Sequence, residues 1–297
     1  MKRFFLTLLL NLLWLAACSP KPDSISLSVT ATTQPVLIPS PFTGQGIPPD
    51  FQGKLKLFIL AGQSNMSGRG KVPESLQRTN PRVFVFGNDY QWKLAAEPID
   101  SPAGQVDTVS QDPDAGFSPA MSFAERLLES DPNLIIGLIP CAKNSTSISA
   151  WNRDTKVTTL YGSCLNRIQQ ASQMGIPAGI LFYQGETDAS DPLLYPTKGI
   201  ISPDLWASKF SEMVQNWRTD LASPNLPVVF AQLATNGDPK SFINWEMIKQ
   251  QQASVSLPFC SMIKTDDLTV VDGVHLSIES YQELGKRFAA AYLDLIK

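Results

Sequence analysis

Short apolar runs alternate with amphipathic helical patterns from residue 51 onwards, and this alternation restricts the fold more than any other feature. The runs that predict buried strands are residues 56–60, 134–139, 180–183, 228–232 and 260–263. Apolar residues recur at helical spacing in residues 121–130, 161–174, 205–221 and 277–296. Strands that are apolar on both faces and separated by helices predict an α/β fold with a mostly parallel sheet. Functional groups in such sheets lie in loops at the carboxyl ends of strands.

The first 50 residues differ from the rest of the chain in composition. Lys2 and Arg3 precede an apolar stretch at residues 4–15, which is short for a bilayer span and leads into Leu-Ala-Ala-Cys at 15–18. This ending resembles the lipobox of bacterial lipoproteins and implies lipidation of Cys18; an ordinary signal peptide is the alternative. Residues 19–49 are rich in Pro, Ser and Thr, which predicts an extended tether.

We therefore predict a lipoprotein signal peptide over residues 1–17, a lipidated tether over 18–50 and one folded domain over 51–297. The protein would be exported and anchored to a membrane through Cys18, in the periplasm or at the cell surface. Export permits a disulfide among the three remaining cysteines. The pairing stays open from sequence, with Cys141–Cys164 preferred and Cys260 left as a thiol.

Charge and histidine content exclude several functions. The net charge is -3, and Lys and Arg are scattered without a basic run, so nucleic acid is not an expected partner. The chain contains a single histidine, which excludes a multi-histidine metal site. No metal or organic cofactor is expected.

Ser64 and His275 are the candidates for nucleophilic chemistry. Ser64 directly follows the first predicted strand in a Gly-rich turn, where it is either a nucleophile or a helix N-cap. His275 precedes the last helix, and Asp272 lies three residues before it. A tight turn would bring the Asp272 carboxylate to Nδ1 and leave Nε2 free to take a proton from a serine. If the protein is a serine hydrolase with a histidine base, that base is His275.

A third polar element follows the strand that ends near residue 183. The Gln184 side-chain amide would face a developing oxyanion, and Glu186 would orient neighbouring groups. The alternative interpretation is a polar loop with a helix cap at Thr187 or Asp188.

Three blocks carry a family resemblance: GQSNMSGRG at 62–70, FYQGETDAS at 182–190 and DGVHLS at 272–277. They resemble the conserved blocks of the SASA-type branch of the SGNH hydrolases, which includes sialate O-acetylesterases and other carbohydrate acetylesterases. The resemblance implies a three-layer, flavodoxin-like α/β/α sandwich. It also implies a triad of Ser64, His275 and Asp272, and oxyanion donors from the Ser64 N–H and Gln184. Further candidates for substrate contact or support are Gln63, Asn65, Glu186, Asn144 and Trp151.

The sequence departs from the family pattern in two places. Ser118 stands where the family usually has a glycine before the proline of its second block, so either Ser118 or Gly116 would donate a backbone N–H to the oxyanion. The usual Gly-Gly-Thr is replaced by Asn144-Ser145-Thr146, a loop expected to line the pocket, and Trp151 after it is the candidate for sugar stacking.

The expected function is a serine esterase that removes O-acetyl groups from carbohydrates of the acetyl xylan or sialate type. Its activity would fall below about pH 6–7, because a protonated histidine cannot accept the serine proton. The alternatives are an esterase of other acyl specificity, such as feruloyl or lipid, and a catalytically silent carbohydrate-binding lipoprotein.

Overall fold

Within residues 46–297, which a computed structural model describes, seven strands form one sheet. The strands are β1 Leu55–Gly62, β2 Val83–Phe86, β3 Trp92–Leu94, β4 Ile136–Pro140, β5 Gly175–Tyr183, β6 Val228–Ala231 and β7 Cys260–Ile263. Their order is β3-β2-β4-β1-β5-β6-β7. Only the β2–β3 pair is antiparallel among these strands, so the sheet is mostly parallel, as predicted.

Helices cover both faces of this sheet. In the described part of the chain they are α1 Ser64–Ser67, α2 Ala120–Ser130, α3 Leu160–Ala171, α4 Glu186–Ala189, α5 Trp206–Asp220, α6 Trp245–Ser254 and α7 Ile278–Leu295. On one face, Phe58 of β1 contacts Phe123 of α2 and Tyr292 of α7, with ring centroids 4.8 and 5.0 Å away. On the other face, Phe182 of β5 contacts Phe210 of α5 at 5.3 Å. The predicted three-layer α/β/α sandwich is confirmed.

Five strands and four helices were predicted, and all of them form with ends shifted by a few residues. The elements that sequence periodicity missed are β2, β3, α6 and the one-turn helices α1 and α4. The short edge strand β3 is buried only at Trp92 and exposes Lys93 and Leu94, so its three residues show no repeating pattern. None of the described helices is long and apolar enough to cross a membrane.

The signal peptide, Cys18 and nearly all of the predicted tether lie outside the described residues and stay predictions. At the end of the predicted tether, Ile47 is 4% exposed and belongs to the core, and a 3-10 helix begins at the exposed Pro49. Cys141, which follows β4, is paired with Cys164 of α3, while Cys260 of β7 is a free thiol. This is the pairing that the sequence favoured.

Candidate active site

Ser64 lies at the carboxyl edge of the sheet, where β1 ends. The preceding Gly62 has φ 129°, and a Cβ on it would lie 2.1 Å from the Tyr183 carbonyl oxygen, so only glycine permits this approach of β1 to β5. The chain then turns into α1, in which Met66 and Ser67 donate their N–H groups to the Gln63 carbonyl. The Ser64 N–H, at the first position of α1, has no acceptor within that helix.

Ser64, His275 and Asp272 form a hydrogen-bonded chain. Ser64 Oγ lies 2.9 Å from His275 Nε2, and His275 Nδ1 lies 2.7 Å from Asp272 Oδ2. The other Asp272 oxygen accepts the His275 backbone N–H at 2.9 Å. Burial opposes ionisation of Asp272, but the hydrogen bonds from the His275 side chain and backbone outweigh it and lower the pKa of the carboxyl. The structure thus brings together three residues that span more than two hundred positions of sequence.

Asn65 fixes the loop that carries His275 against the turn that carries Ser64. Its Nδ2 donates to the Val274 carbonyl at 2.9 Å, and its Oδ1 accepts the Leu276 N–H at 3.2 Å. The two residues that flank His275 are therefore held by one side chain, which itself follows Ser64. The supporting role of Asn65 in the reaction stays a prediction.

Glu186, at the start of α4, lies behind this arrangement. Its Oε1 accepts a hydrogen bond from Asn65 Nδ2 at 2.6 Å, and its Oε2 has no partner among the described residues. The side chain is buried, and this burial raises the pKa of the carboxyl to about 7. Glu186 thus holds Asn65 by a hydrogen bond and also lines the cavity beside Ser64.

The predicted oxyanion role of Gln184 is wrong for this structure, because its side chain is fully buried and all its polar atoms are engaged. Its Nε2 donates to Asp188 and to the Thr146 carbonyl, the latter at 3.0 Å. Its Oε1 accepts the indole N–H of Trp206 at 2.9 Å. Gln184 therefore connects the end of β5 to α5 and to the loop at 146, and its amide does not face a substrate.

Neither Ser118 nor Gly116 offers a free backbone N–H for the oxyanion, which corrects both predictions. The Ser118 N–H donates to Glu97 Oε2 at 3.2 Å, and its hydroxyl donates to Glu97 Oε1 at 2.9 Å. The Gly116 N–H donates to the Gly68 carbonyl at 3.1 Å. These buried groups satisfy each other, as buried polar groups generally must.

Trp151 is a core residue, so the prediction that it stacks on a sugar is wrong. It is fully buried, and its ring lies 5.5 Å from Trp217 and 6.0 Å from Phe182, both edge to face. In the neighbouring loop, Ser145 lines the cavity in place of the predicted Asn144. Ser145 adopts a left-handed conformation with φ 53°, which turns the loop at that position.

A cavity of about 210 Å³ opens beside Ser64 and His275. It is lined by Gln63, Ser64, Ser145, Glu186, Thr187, Ser190, Tyr195, Lys198, Phe242, Val274 and His275. Tyr195, Lys198 and Phe242 were missed from sequence. The first two lie between α4 and α5, and a long connection at the carboxyl edge of a parallel sheet was the available signal for them. Nowhere in residues 46–297 do three His, Cys, Asp or Glu side chains gather as a metal site would require.

The sequence did not define the role of Gln63. Its Oε1 accepts the Thr187 N–H at 3.3 Å and Gln184 Nε2 at 3.4 Å. Because an amide is planar, fixing Oε1 in this way also fixes the direction of the Nε2 donor. Gln63 also lines the cavity next to Ser64.

Known proteins resemble this chain in sequence and in fold. Residues 54–294 match the family model described as SASA, carbohydrate esterase, sialic acid-specific acetylesterase. The probable carbohydrate esterase At4g34215 of Arabidopsis thaliana is 30% identical over 274 residues, which are 84% of this chain and 92% of that protein. The X-ray structure of the same Arabidopsis protein aligns with a TM-score of 0.68 at 25% identity, covering 81% of this chain and 98% of that one.

Two other solved structures share the fold at lower identity. XAC1771, described as a carbohydrate acetylesterase from Xanthomonas citri, aligns with a TM-score of 0.58 at 21% identity, over 81% of this chain and 56% of that one. NanS aligns with a TM-score of 0.58 at 14% identity, over 82% and 98%. The family match includes the elements that supply Ser64, Gln184 and His275. This chain therefore belongs to the SASA family of carbohydrate esterases, which are carboxylic ester hydrolases.

Proposed function

We propose that the protein removes O-acetyl groups from carbohydrates through a Ser64–His275–Asp272 triad. The observation that carries this proposal is the unbroken hydrogen-bonded chain from Ser64 Oγ through His275 to Asp272, which opens on a cavity. The cavity of about 210 Å³ is smaller than the sites of about 300–1,000 Å³ that hold drug-sized ligands. This size favours a small acyl group over a long chain.

The reaction follows from the geometry. His275 Nε2 accepts the Ser64 proton while Ser64 Oγ attacks the acetyl carbonyl carbon, and Asp272 stabilises the imidazolium that forms. The C–O bond to the sugar then breaks, and His275 returns the proton to the departing alcohol. Water repeats these steps on the acetyl-enzyme, with His275 as base and Ser64 as leaving group, and acetic acid is released.

The oxyanion of each tetrahedral intermediate needs preorganised donors. We assign this role to the Ser64 N–H and to Gln63 Nε2, in place of Gln184, Ser118 and Gly116. Two observations support Gln63: its Oε1 accepts the Thr187 N–H, and the residue lines the cavity beside Ser64. Gln184 then acts indirectly, because its hydrogen bonds hold Gln63 and the loop at 146 in place.

The reaction is tested by measuring the release of acetate from acetylated xylan oligosaccharides and of nitrophenol from p-nitrophenyl esters of increasing chain length. We expect kcat/KM to be highest for acetyl and to fall by about tenfold or more for octanoyl, because the longer chain exceeds the cavity. Faster turnover of octanoyl or feruloyl esters would favour the other acyl specificities. A folded protein that releases no product from any ester would favour the silent binding protein.

We also propose that the protein is exported and anchored to a membrane by lipidation of Cys18. This proposal rests on the sequence: Lys2 and Arg3, the apolar residues 4–15 and the Leu-Ala-Ala-Cys ending. Growth of expressing bacteria with radiolabelled palmitate is expected to label the protein and leave a Cys18→Ser variant unlabelled. Equal labelling of both proteins would contradict the anchor at Cys18.

A further inference from the structure

Tyr281 of α7 contacts the residue that follows the nucleophile. Its hydroxyl donates to Asn65 Oδ1 at 2.8 Å, and both side chains are fully buried. Burial raises the pKa of Tyr281 well above its usual value, so the hydroxyl stays protonated and remains a donor. A buried hydroxyl costs free energy unless it has a partner, and a phenylalanine would fill the same space without that cost. Packing alone therefore does not account for the hydroxyl.

With Tyr281 in place, the Asn65 amide uses all four of its hydrogen-bonding positions. Its Nδ2 donates to Glu186 Oε1 at 2.6 Å and to the Val274 carbonyl at 2.9 Å. Its Oδ1 accepts the Tyr281 hydroxyl and the Leu276 N–H, the latter at 3.2 Å. Because an amide is planar and its two ends differ, these four partners permit a single orientation of the Asn65 side chain.

The orientation of Asn65 matters for the loop that carries His275. This loop faces solvent on its outer side, where Val271 is 64% exposed and the Asp272 side chain 55%. On its inner side, the backbone groups that flank His275 both bind the Asn65 amide. A rotation of that amide would therefore move the imidazole relative to Ser64, which directly precedes Asn65 in the chain.

We propose that Tyr281 is a positioning residue for the reaction: its hydroxyl fixes Asn65, and Asn65 holds His275 Nε2 at hydrogen-bonding distance from Ser64 Oγ. Tyr281 is buried and is not among the residues that line the cavity, so its effect on the reaction passes through Asn65. A displacement of about 1 Å between reacting groups can lower a rate by about 10²-fold, so one hydrogen bond behind the site can change kcat. This inference rests on the proposed triad.

Tyr281→Phe removes the hydroxyl and keeps the ring. We expect kcat on p-nitrophenyl acetate to fall by about tenfold and KM to change by less than about twofold, because the cavity keeps its lining. The matched control is Tyr292→Phe, which removes a hydroxyl from the same helix at a ring that packs against Phe58 and Phe123. Its kcat should equal that of the wild type. A thermal melt of each variant shows that it is folded.

The single histidine of the chain provides a readout that is independent of turnover. In the protein prepared without a histidine tag and labelled with ¹⁵N at histidine, the imidazole NMR signals all belong to His275, and they report its tautomer and hydrogen bonds. We expect Tyr281→Phe to shift and broaden these signals, because the imidazole then samples more than one position. Tyr292→Phe should leave them as in the wild type.

A double-mutant cycle shows whether Tyr281 acts through Asn65. In an Asn65→Ala background, Tyr281→Phe should lower kcat no further. Four results would overturn the proposal: an unchanged kcat in Tyr281→Phe, an equal loss in Tyr292→Phe, additive losses in the cycle, or imidazole signals of Tyr281→Phe that match the wild type. The last of these decides even where Asn65→Ala does not fold.

The NMR and kinetic results together separate this proposal from the function on which it rests. Imidazole signals that change in Tyr281→Phe, in a protein that hydrolyses no ester, would retain the link from Tyr281 to His275 and reject the esterase. Hydrolysis of acetyl esters at equal rates by wild type and Tyr281→Phe would retain the esterase and reject the positioning role.

Discussion

Two polar regions meet at the carboxyl edge of the sheet and use similar residue types for different purposes. The catalytic edge consists of the residues of the proposed triad, Ser64, His275 and Asp272, and the buried polar layer beneath it consists of Asn65, Gln184, Glu186 and Asp188. The side chains of His275 and Asp272 are 20% and 55% exposed, whereas every member of the buried layer is at most 2% exposed. Buried polar groups must satisfy one another, so that layer holds the structure while the catalytic edge remains free to react.

The largest expected effect is at the catalytic edge. Ser64→Ala and His275→Ala should each lower kcat on p-nitrophenyl acetate by about 10⁴-fold or more, because each removes a member of the triad. Both side chains lie at the surface of the cavity, so the free energy of unfolding should change by less than about 1 kcal/mol. Steady-state kinetics and urea denaturation measure the two quantities. Retention of activity in His275→Ala would reject the histidine mechanism, since the chain has no other histidine.

Asp272→Asn tests whether the orienting carboxylate behaves like the rest of the catalytic edge. An amide cannot stabilise the imidazolium, and its NH₂ group can favour the wrong histidine tautomer, so kcat should fall by about 10²–10³-fold. Because Asp272 is half exposed, water compensates part of the loss, and we expect a smaller effect than at Ser64. An unchanged kcat would remove Asp272 from the mechanism.

The two glutamines give the sharpest comparison between the regions. Gln63→Glu keeps an oxygen for the Thr187 N–H but replaces the Nε2 donor, so kcat should fall by about 10²-fold or more with little loss of stability. Gln184→Ala removes one hydrogen bond from the buried Asp188 and leaves the Trp206 N–H without a partner, which should lower the free energy of unfolding by about 2–4 kcal/mol.

Kinetics and urea denaturation of both variants distinguish the two roles, with kcat of Gln184→Ala measured where that variant remains folded. We expect its kcat to stay within about tenfold of wild type, since the Gln184 amide does not face the substrate. A large loss of kcat in Gln184→Ala with unchanged stability, together with an active Gln63→Glu, would restore the oxyanion role to Gln184 and contradict our assignment.

The contrast between the regions also explains what the sequence could predict. The proposed triad could be predicted because its chemistry demands specific residue types and because His275 has no competitor in the chain. Asn65 and Glu186 were predicted as supporting residues, but the contacts of the buried layer were not, because they join residues that are distant in sequence: Asn65 contacts Glu186 across 121 positions, and Gln184 contacts Trp206 across 22. No local pattern reports whether a polar side chain faces a cavity or another buried group.

The same reasoning applies to the fold. Strands with continuous apolar runs, such as β1 and β5, were predicted because burial on both faces leaves a clear pattern. The three-residue edge strand β3 was missed because it is too short to show one. Trp151 was assigned to the sugar site because an aromatic residue beside a loop is compatible with either stacking or burial, and only packing against Trp217 and Phe182 decides between them.

The smallest expected effect concerns the pH dependence of stability. Burial raises the pKa of Glu186 and of Asp188 to about 7, well above their usual values. A carboxyl whose pKa is higher in the folded than in the unfolded protein stabilises the folded state at low pH. This contribution is complete below the unfolded-state pKa, and it is lost as pH rises through the folded-state pKa of about 7. The free energy of unfolding should therefore decrease between about pH 5 and 8, and Glu186→Gln should reduce the decrease by about 1–3 kcal/mol.

Asp267→Asn is the matched control: Arg287 lowers the pKa of this exposed carboxyl to about 2, so its contribution is lost only in acid. If the free energy of unfolding of Glu186→Gln falls with pH as steeply as that of the wild type, then Glu186 is ionised in the folded protein at neutral pH.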